Sequence, residues 1–184
     1  MCGIAGIIDF KDHEDRQPLL RRMVGYLHHR GPDAAGLYLD DGVGLGHARL
    51  SIIDLAGGDQ PIHNEDHSVW IVYNGEVFNY PELREELIAH GHRFSTTTDT
   101  EVIVHLYEEM GQECVKRLRG MFAFAIWDKK LQELFIARDR VGIRPLFYNF
   151  TNGVFSFASE IKSLFQQKYI NREFQPKSLA HIYT

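Results

Sequence analysis

The feature that most constrains the fold of this chain is a series of short β-favouring segments separated by short connections. Turn sequences such as Asp41-Gly42 and Asn152-Gly153 join some of them, and connections of this kind link antiparallel strands. Several segments are apolar on both faces, which is typical of sheets covered on both sides. The sequence therefore predicts stacked antiparallel sheets between helices. The predicted strands are residues 4–8, 36–39, 47–53, 69–73, 122–127, 134–137, 146–150 and 154–157.

Apolar residues recur at helical spacing in three other segments. The first covers residues 16–28 and the second covers residues 81–90. The third follows Thr98-Asp99-Thr100-Glu101, which matches the pattern of a helix capping box, and is closed by Gly111. Asp99 is therefore predicted to lie in the first turn of a helix.

Composition excludes several classes of protein. The 184 residues suffice for one domain and little more, and a net charge of −5 without a basic run argues against nucleic acid as a partner. The longest uninterrupted apolar run, residues 121–127, is far shorter than the about 20 residues that span a membrane. No secretory signal is recognised, because Asp9 interrupts the candidate segment. With only Cys2 and Cys114 present, we expect a cytoplasmic protein, in which Cys114 is a buried small residue.

Cys2 is the candidate nucleophile. If Met1 is removed, the first residue carries both a thiol and a free α-amine. An α-amine titrates close to neutral pH, so it can accept the thiol proton and no separate histidine base is required. The alternative is that Cys2 is a small apolar residue that opens the first strand, and its position alone favours this alternative.

Other residues are suited to binding an amino acid and hydrolysing its side-chain amide. Asn74 and Gly75 follow a predicted strand, where a side-chain amide and a closely approaching backbone N–H could form an oxyanion hole. The same dipeptide is also a common turn sequence. Arg49 could bind an α-carboxylate and Asp99 an α-ammonium group. Taken singly, Arg49 would form a surface ion pair and Asp99 would cap a helix. Their spacing in the sequence does not show that they share a site.

A set of separated motifs then appears in a fixed order along most of the chain. They are residues 1–6, 29–33, 49–52, 74–76, 98–101, 120–125, 137–139, 142–146 and 158–160. Together they resemble the class II glutamine amidotransferase domain, in the form found in asparagine synthetase. Each string alone is weak, but several in the right order are not explained by coincidence.

The resemblance implies an α+β fold of the N-terminal nucleophile hydrolase type, a four-layer αββα sandwich of two antiparallel sheets between helices. It implies a glutaminase that converts L-glutamine to L-glutamate and ammonia through a Cys2 thioester. Cys2 would be the nucleophile and its own amine the base, with Asn74 and Gly75 as the oxyanion donors. The implied substrate-binding residues are Arg49, Ile52, Glu76 and Asp99. Arg30 and Asp33 have a supporting role in a turn-forming segment.

The resemblance also bears on domains and partners. Residues 1–167 would form the glutaminase domain, and residues 168–184 an edge segment leading to a synthetase domain or partner that accepts the ammonia. The family's synthetase domain carries a Ser-Gly-Gly-x-Asp-Ser loop for pyrophosphate, and this sequence lacks it. We therefore expect no cofactor in this domain, and ATP and Mg only on a synthetase domain. The ten histidines are expected to be solvated or packed rather than metal ligands, because no thiol or carboxylate is expected beside them.

Two other functions remain open. A different amidase with an N-terminal cysteine, acting on an apolar amide, would need Cys2 and the oxyanion donors but not Arg49. A regulatory or docking module that binds glutamine without turnover would result if Met1 stayed attached, because the base would then be consumed in a peptide bond.

Overall fold

A computed structural model describes residues 1–11, 14–51, 57–173 and 176. Within these residues, nine strands form two sheets. The strands are β1 (Gly3–Ile8), β2 (Ala34–Asp40), β3 (Val43–Arg49), β4 (Ile62–His63), β5 (Val69–Val77), β6 (Gly120–Asp128), β7 (Glu133–Arg138), β8 (Phe147–Thr151) and β9 (Val154–Ala158). The helices are α1 (Arg16–Gly25), α2 (Tyr80–Ala89), α3 (Asp99–Met110) and α4 (Ile161–Leu164), with a short 3-10 segment at Gly111–Lys116.

Both sheets are antiparallel, as the turn sequences predicted. The first has the strand order β2-β3-β1-β9-β8 and the second has the order β4-β5-β6-β7. Asn152 and Gly153 both have positive φ angles, 55° and 81°, in the turn between β8 and β9. Such a turn matches the twist of the paired strands, which explains why Asn-Gly occupies it.

The two sheets pack face to face and helices cover their outer faces. Successive residues of a strand point to opposite faces, so Ile4 of β1 packs between the sheets with Val72 and Trp127. Ile7 of the same strand packs outward, in a cluster that includes Leu20 of α1. The outer cluster of the second sheet contains α2 and α3 in the same way. The layer order is therefore αββα, which confirms the predicted architecture.

The helix predictions are confirmed with small shifts at the ends. The Thr98 side chain accepts a hydrogen bond from the backbone N–H of Glu101, as a capping residue does. The Glu101 carboxylate does not complete a capping box. It accepts hydrogen bonds from the backbone N–H groups of Ser95 and Thr96, and so holds the segment before α3.

The prediction of a strand at residues 47–53 is wrong in its bounds. The strand, β3, begins at Val43 and ends at Arg49, while Ile52 lies outside the described residues. The start of β3 was not predicted because its glycines interrupt the hydrophobicity pattern of a strand. A Cβ on Gly46 would lie 2.4 Å from Cγ2 of Val24, so the glycine is needed for α1 to approach the sheet.

The prediction that strand structure ends at residue 73 is also wrong, because β5 continues to Val77. The short elements β4 and α4 were not predicted, since two to four residues carry no readable periodicity. The boundary at residues 167 and 168 stays a prediction. Among the described residues, no helix has both the length and the apolar character needed to cross a membrane.

Candidate active site

Cys2 lies directly before β1, and contacts from other segments fix its position. Its Sγ accepts a hydrogen bond from the backbone N–H of Leu50 at 3.3 Å, and the thiol lies 3.6 Å from the Leu50 carbonyl oxygen. The Nε of Arg30 donates to the Cys2 carbonyl oxygen at 3.0 Å. The thiol is half-buried. The residue is therefore anchored by its backbone and by its side chain.

The two predicted supporting residues lie around Cys2. Arg30 also donates to the Glu160 carboxylate at 3.2 Å, which connects the start of the chain to the residue before α4. Asp33 accepts a hydrogen bond from the backbone N–H of Ser51 at 2.8 Å, and so holds the segment that follows β3. Both contacts fit a structural role for these residues.

Asn74 and Gly75 lie inside β5, opposite Ala123 and Phe122 of β6. The alternative interpretation of this dipeptide as a turn is wrong, because the strand continues past it. Asn74 is buried, and among the described residues its Nδ2 has no hydrogen-bond partner. An unpaired buried donor is costly and rare, so it indicates a group held ready for a ligand.

Gly75 is required by close packing. A Cβ there would lie 2.4 Å from the Met121 carbonyl oxygen and 2.8 Å from the Phe122 Cα. Both are backbone atoms of β6, which cannot move aside without breaking the sheet. The residue next to the unpaired amide must therefore be a glycine.

Asp99 is the first residue of α3 and is buried. Its Oδ2 accepts hydrogen bonds from the Tyr73 hydroxyl at 2.6 Å and from the backbone N–H of Val77 at 2.9 Å. Burial raises the pKa of Asp99, and the nearby negative charge of Glu76 raises it further, against the lowering effect of these hydrogen bonds. The Asp99 carboxylate is thus held in place, but its negative charge is only partly balanced, as suits a binding site for a cation.

Arg49 is the last residue of β3, and its side chain is 6% exposed. Its guanidinium donates to Oδ1 of Asp59 at 2.7 Å, whereas the Asp59 side chain is 71% exposed. The sequence did not predict this ion pair. An anion entering the cleft would meet a buried arginine, and Asp59, one of its partners, can move into solvent.

One cleft brings together most of the predicted residues. The lining includes Cys2, Arg49, Asn74, Gly75, Glu76 and Asp99, all of which the sequence analysis named. Arg30 and Asp33 lie outside the lining, and Ile52 lies outside the described residues. Residues that the sequence analysis did not name as site residues complete the cleft: Met1, Leu50, Gly58, Gln60, Tyr73, Thr98, Thr100 and Arg144.

Gln60 and His47, neither of which the sequence analysis named as a site residue, hold the backbone of Tyr73. Gln60 Oε1 accepts the Tyr73 N–H at 2.7 Å, and Nε2 of His47 lies 3.1 Å from the Tyr73 carbonyl oxygen. Burial lowers the pKa of His47 to about 3, so its ring is neutral at physiological pH and Nε2 donates this bond. No local pattern marks either residue, because the contacts cross between segments.

One expectation about histidines is wrong. No carboxylate was expected near a histidine cluster, yet Glu65 and Glu108 lie beside His92 and His105. The four residues come from three segments of the chain, so their proximity is not visible in the sequence.

Comparison with known proteins is consistent with this geometry. The family model described as "Glutamine amidotransferase domain" matches residues 1–184. The chain is 47% identical over 180 residues to asparagine synthetase [glutamine-hydrolyzing] 2 of Bacillus subtilis strain 168, covering 96% of this chain and 24% of that protein. It is 41% identical over 186 residues to the Arabidopsis thaliana protein asparagine synthetase [glutamine-hydrolyzing] 2, covering 100% and 31%. The chain thus spans about a quarter to a third of the length of these curated relatives.

A solved structure shares the fold. It is glutamine phosphoribosylpyrophosphate amidotransferase from B. subtilis in complex with ADP and GMP, with a TM-score of 0.76 and 23% sequence identity. The match covers 89% of this chain and 43% of that one. At this identity the similarity concerns the arrangement of strands and helices.

Proposed function

Because the chain belongs to the glutamine amidotransferase domain family and has the αββα sandwich of N-terminal nucleophile hydrolases, we propose that it hydrolyses L-glutamine to L-glutamate and ammonia. The single observation that carries the proposal is the cleft. It gathers a thiol, an unpaired amide donor, a buried arginine and a buried aspartate that are up to 97 positions apart in the sequence. These are the groups that the hydrolysis of an amino-acid amide requires.

Removal of Met1 prepares the nucleophile in this proposal. Met1 lines the cleft, and its Sδ contacts the Arg144 guanidinium. Its removal therefore frees the Cys2 α-amine and also clears space beside the thiol. The amine is then attached to the carbon next to the one that bears Sγ, which places a base within reach of the thiol proton.

The reaction proceeds by acyl transfer. The Cys2 thiolate attacks the side-chain amide carbon of glutamine, and the tetrahedral oxyanion accepts hydrogen bonds from Asn74 Nδ2 and the backbone N–H of Gly75. The protonated amine returns its proton to the leaving nitrogen, and ammonia departs as the thioester forms. Water, deprotonated by the same amine, attacks the thioester and releases glutamate and the Cys2 thiol.

Specificity follows from the two charged groups. Arg49 binds the α-carboxylate, displacing the exposed Asp59, and Asp99 receives the α-ammonium group. Glu76 adds negative charge near Asp99. Ile52 remains a proposed pocket residue. Because the charged groups fix one end of the substrate, the shorter side chain of asparagine would not bring its amide carbon to Cys2.

A synthetase domain or protein that consumes the ammonia is the proposed partner. The curated relatives are much longer than this chain, and their printed names describe glutamine-hydrolysing asparagine synthetases. Several large apolar side chains within six positions of Arg144 in the sequence are exposed and would suit such a contact. They are Val141, Ile143, Tyr148 and Phe150. ATP and Mg would bind to that partner and not to this domain.

A cytoplasmic location is also part of the proposal. Both cysteines are free, as expected in a reducing compartment, and the proposed nucleophile must stay reduced to react.

The test measures ammonia released from glutamine by protein with an authentic N-terminus, by protein with an uncleaved N-terminal tag, and by Cys2→Ala. We expect activity only in the first, and N-terminal mass analysis should find Cys2 as its first residue. Unchanged release from Cys2→Ala would refute the proposal. If the authentic protein binds glutamine without turnover, it is a binding module. If Arg49→Ala leaves activity on a simple amide intact, it is a different amidase.

A further inference from the structure

A cluster of two histidines and two glutamates lies outside the cleft. Glu65 lies between β4 and β5, His92 follows α2, and His105 and Glu108 lie three residues apart on α3. One ligand atom from each of these residues lies within 4.8 Å of the other three ligand atoms. None of the four residues lines the candidate active site, so glutamine hydrolysis does not account for the cluster.

Several distances between the ligand atoms are close to those of a coordination sphere. A tetrahedral zinc ion with bonds of about 2.0–2.1 Å holds its ligand atoms about 3.3 Å apart. Nδ1 of His105 lies 2.9 Å from Oε2 of Glu108 and 3.6 Å from Oε2 of Glu65. Nδ1 of His92 lies 3.6 Å from Oε1 of Glu65 and 3.8 Å from Oε2 of Glu108. With one atom from each residue, all four lie within 4.8 Å of one another, so small side-chain movements bring them to the tetrahedral distance.

The outer nitrogens of both rings also face carboxylates. Nε2 of His92 lies 3.1 Å from Oε1 of Glu109, and Nε2 of His105 lies 3.6 Å from Oε1 of Glu101. Metal-binding histidines typically donate their second N–H to a carboxylate, which fixes the ring orientation and leaves the other nitrogen as the ligand. His92 therefore has the surroundings of a ligand that binds through Nδ1, whereas Nε2 of His105 faces Glu101 beyond hydrogen-bond distance and has no hydrogen-bond partner among the described residues.

A divalent cation fits the charge of the cluster. The two carboxylates carry two negative charges, which a divalent cation bound between the two Nδ1 atoms balances while it accepts their lone pairs. The two ring centroids lie 4.6 Å apart, and the His105 side chain is fully buried. The ion takes the place of the proton between Nδ1 of His105 and Oε2 of Glu108.

We propose that Glu65, His92, His105 and Glu108 bind a divalent transition-metal ion, with zinc as the ion that they fit best. Imidazole nitrogen and carboxylate oxygen are zinc ligands, and four protein ligands leave no open position for a substrate. The ion is structural. It fastens the segments that carry Glu65 and His92 to α3.

The location links this site to the cleft. Asp99 begins α3, six residues before His105, a distance of about 9 Å along the helix axis. An ion that holds the middle of α3 to two surface segments therefore steadies the helix whose first residue lines the cleft.

The experiment uses tag-free protein, measures zinc by mass spectrometry after exhaustive dialysis, and measures thermal unfolding with and without a chelator. We expect one zinc ion per chain and a lower Tm after chelation that added zinc restores. Replacement by Co²⁺ should give the visible absorption of a tetrahedral site. These readouts do not depend on glutaminase activity, so their failure would leave the proposed function intact.

His92→Gln and Glu65→Gln are the test variants, because His92 lies in a loop and the Glu65 side chain is 38% exposed, so both should fold. Both should lose stoichiometric zinc and the response of Tm to chelation, whereas the exposed control His28→Gln should keep them. Wild-type protein that binds no zinc, or variants that bind it as well as wild type does, would overturn the proposal.

Discussion

The Tyr73 hydroxyl donates a hydrogen bond of 2.6 Å to Oδ2 of Asp99. Tyr73 precedes the proposed oxyanion donors on β5, and Asp99 begins α3, so this bond joins the two elements that carry opposite ends of the proposed glutamine site. Burial and the Asp99 charge raise the pKa of Tyr73 well above its usual value, so the hydroxyl keeps its proton and remains the donor.

Tyr73→Phe is therefore expected to weaken glutamine binding. A hydrogen bond to a charged group contributes about 1.5–3 kcal/mol, which corresponds to a rise in KM of about 10- to 150-fold. Without this bond the pKa of Asp99 should rise further, so the acid limb of the kcat/KM profile should move to higher pH. Tyr107→Phe, which changes a buried tyrosine of the same core cluster, is the control. An unchanged KM and acid limb would contradict this role of Tyr73.

Asn74→Ala should remove activity without removing stability. Loss of an oxyanion donor lowers kcat by about 100- to 1000-fold. The Tm should change little, because Nδ2 of Asn74 has no protein partner within the described residues. Asn64→Ala provides the opposite control, since the buried Asn64 side chain bonds Ser68, Val69 and Glu108. That variant should lower Tm and keep kcat; the reverse pattern would argue against Asn74 as the donor.

Gly75→Ala should destabilise the second sheet. The new Cβ would meet the backbone of Met121 at 2.4 Å, and overpacking of this kind costs about 1–3 kcal/mol of unfolding free energy. Gly25→Ala is the matched control, because no atom lies within 4 Å of a Cβ built there. Urea unfolding compares the unfolding free energies of the two variants. Equal stability would show that the β6 backbone can move to accept the new Cβ.

Arg30 is expected to act through the position of Cys2. Replacement by Gln removes the bond to the Cys2 carbonyl and the ion pair with Glu160, so kcat for glutamine should fall while KM changes little. Arg30→Lys should restore activity poorly, because a single ammonium cannot reproduce the two-sided geometry of the guanidinium. Arg22→Gln removes an exposed ion pair and is the control. A rise in KM alone would instead place Arg30 in substrate binding.

His47 should make stability depend on pH on the acid side. Its pKa is about 3 in the folded protein and about 6.5 in the unfolded chain, so below pH 6.5 only the unfolded state gains the proton. Stability is then lost progressively as the pH falls from 6.5 towards 3, by about 2 kcal/mol at pH 5 from this group. Urea unfolding at pH 8 and pH 5 should show a smaller difference for His47→Gln than for wild type. The control His28→Gln should keep the wild-type difference, and an equal difference in His47→Gln would contradict the prediction.

The sequence by itself determined most of the secondary structure and most of the candidate residues. Local signals were sufficient for this, because turn residues, a capping threonine and apolar spacing act within a few residues of one another. The order of short motifs was sufficient to identify Cys2, Asn74 and Asp99 as candidates, since each motif is a contiguous string. The predicted layers followed from strands that are apolar on both faces.

Only the tertiary structure decided which groups meet. It placed Asn74 within a strand, with no partner for its Nδ2 among the described residues, and it paired Arg49 with Asp59. It also assembled the carboxylates around His92 and His105, which no sequence pattern predicted. These contacts join segments tens of residues apart, and local propensity and periodicity contain no information about them. They are fixed by the packing of the two sheets and their helices, which alone sets the distances between side chains of different segments.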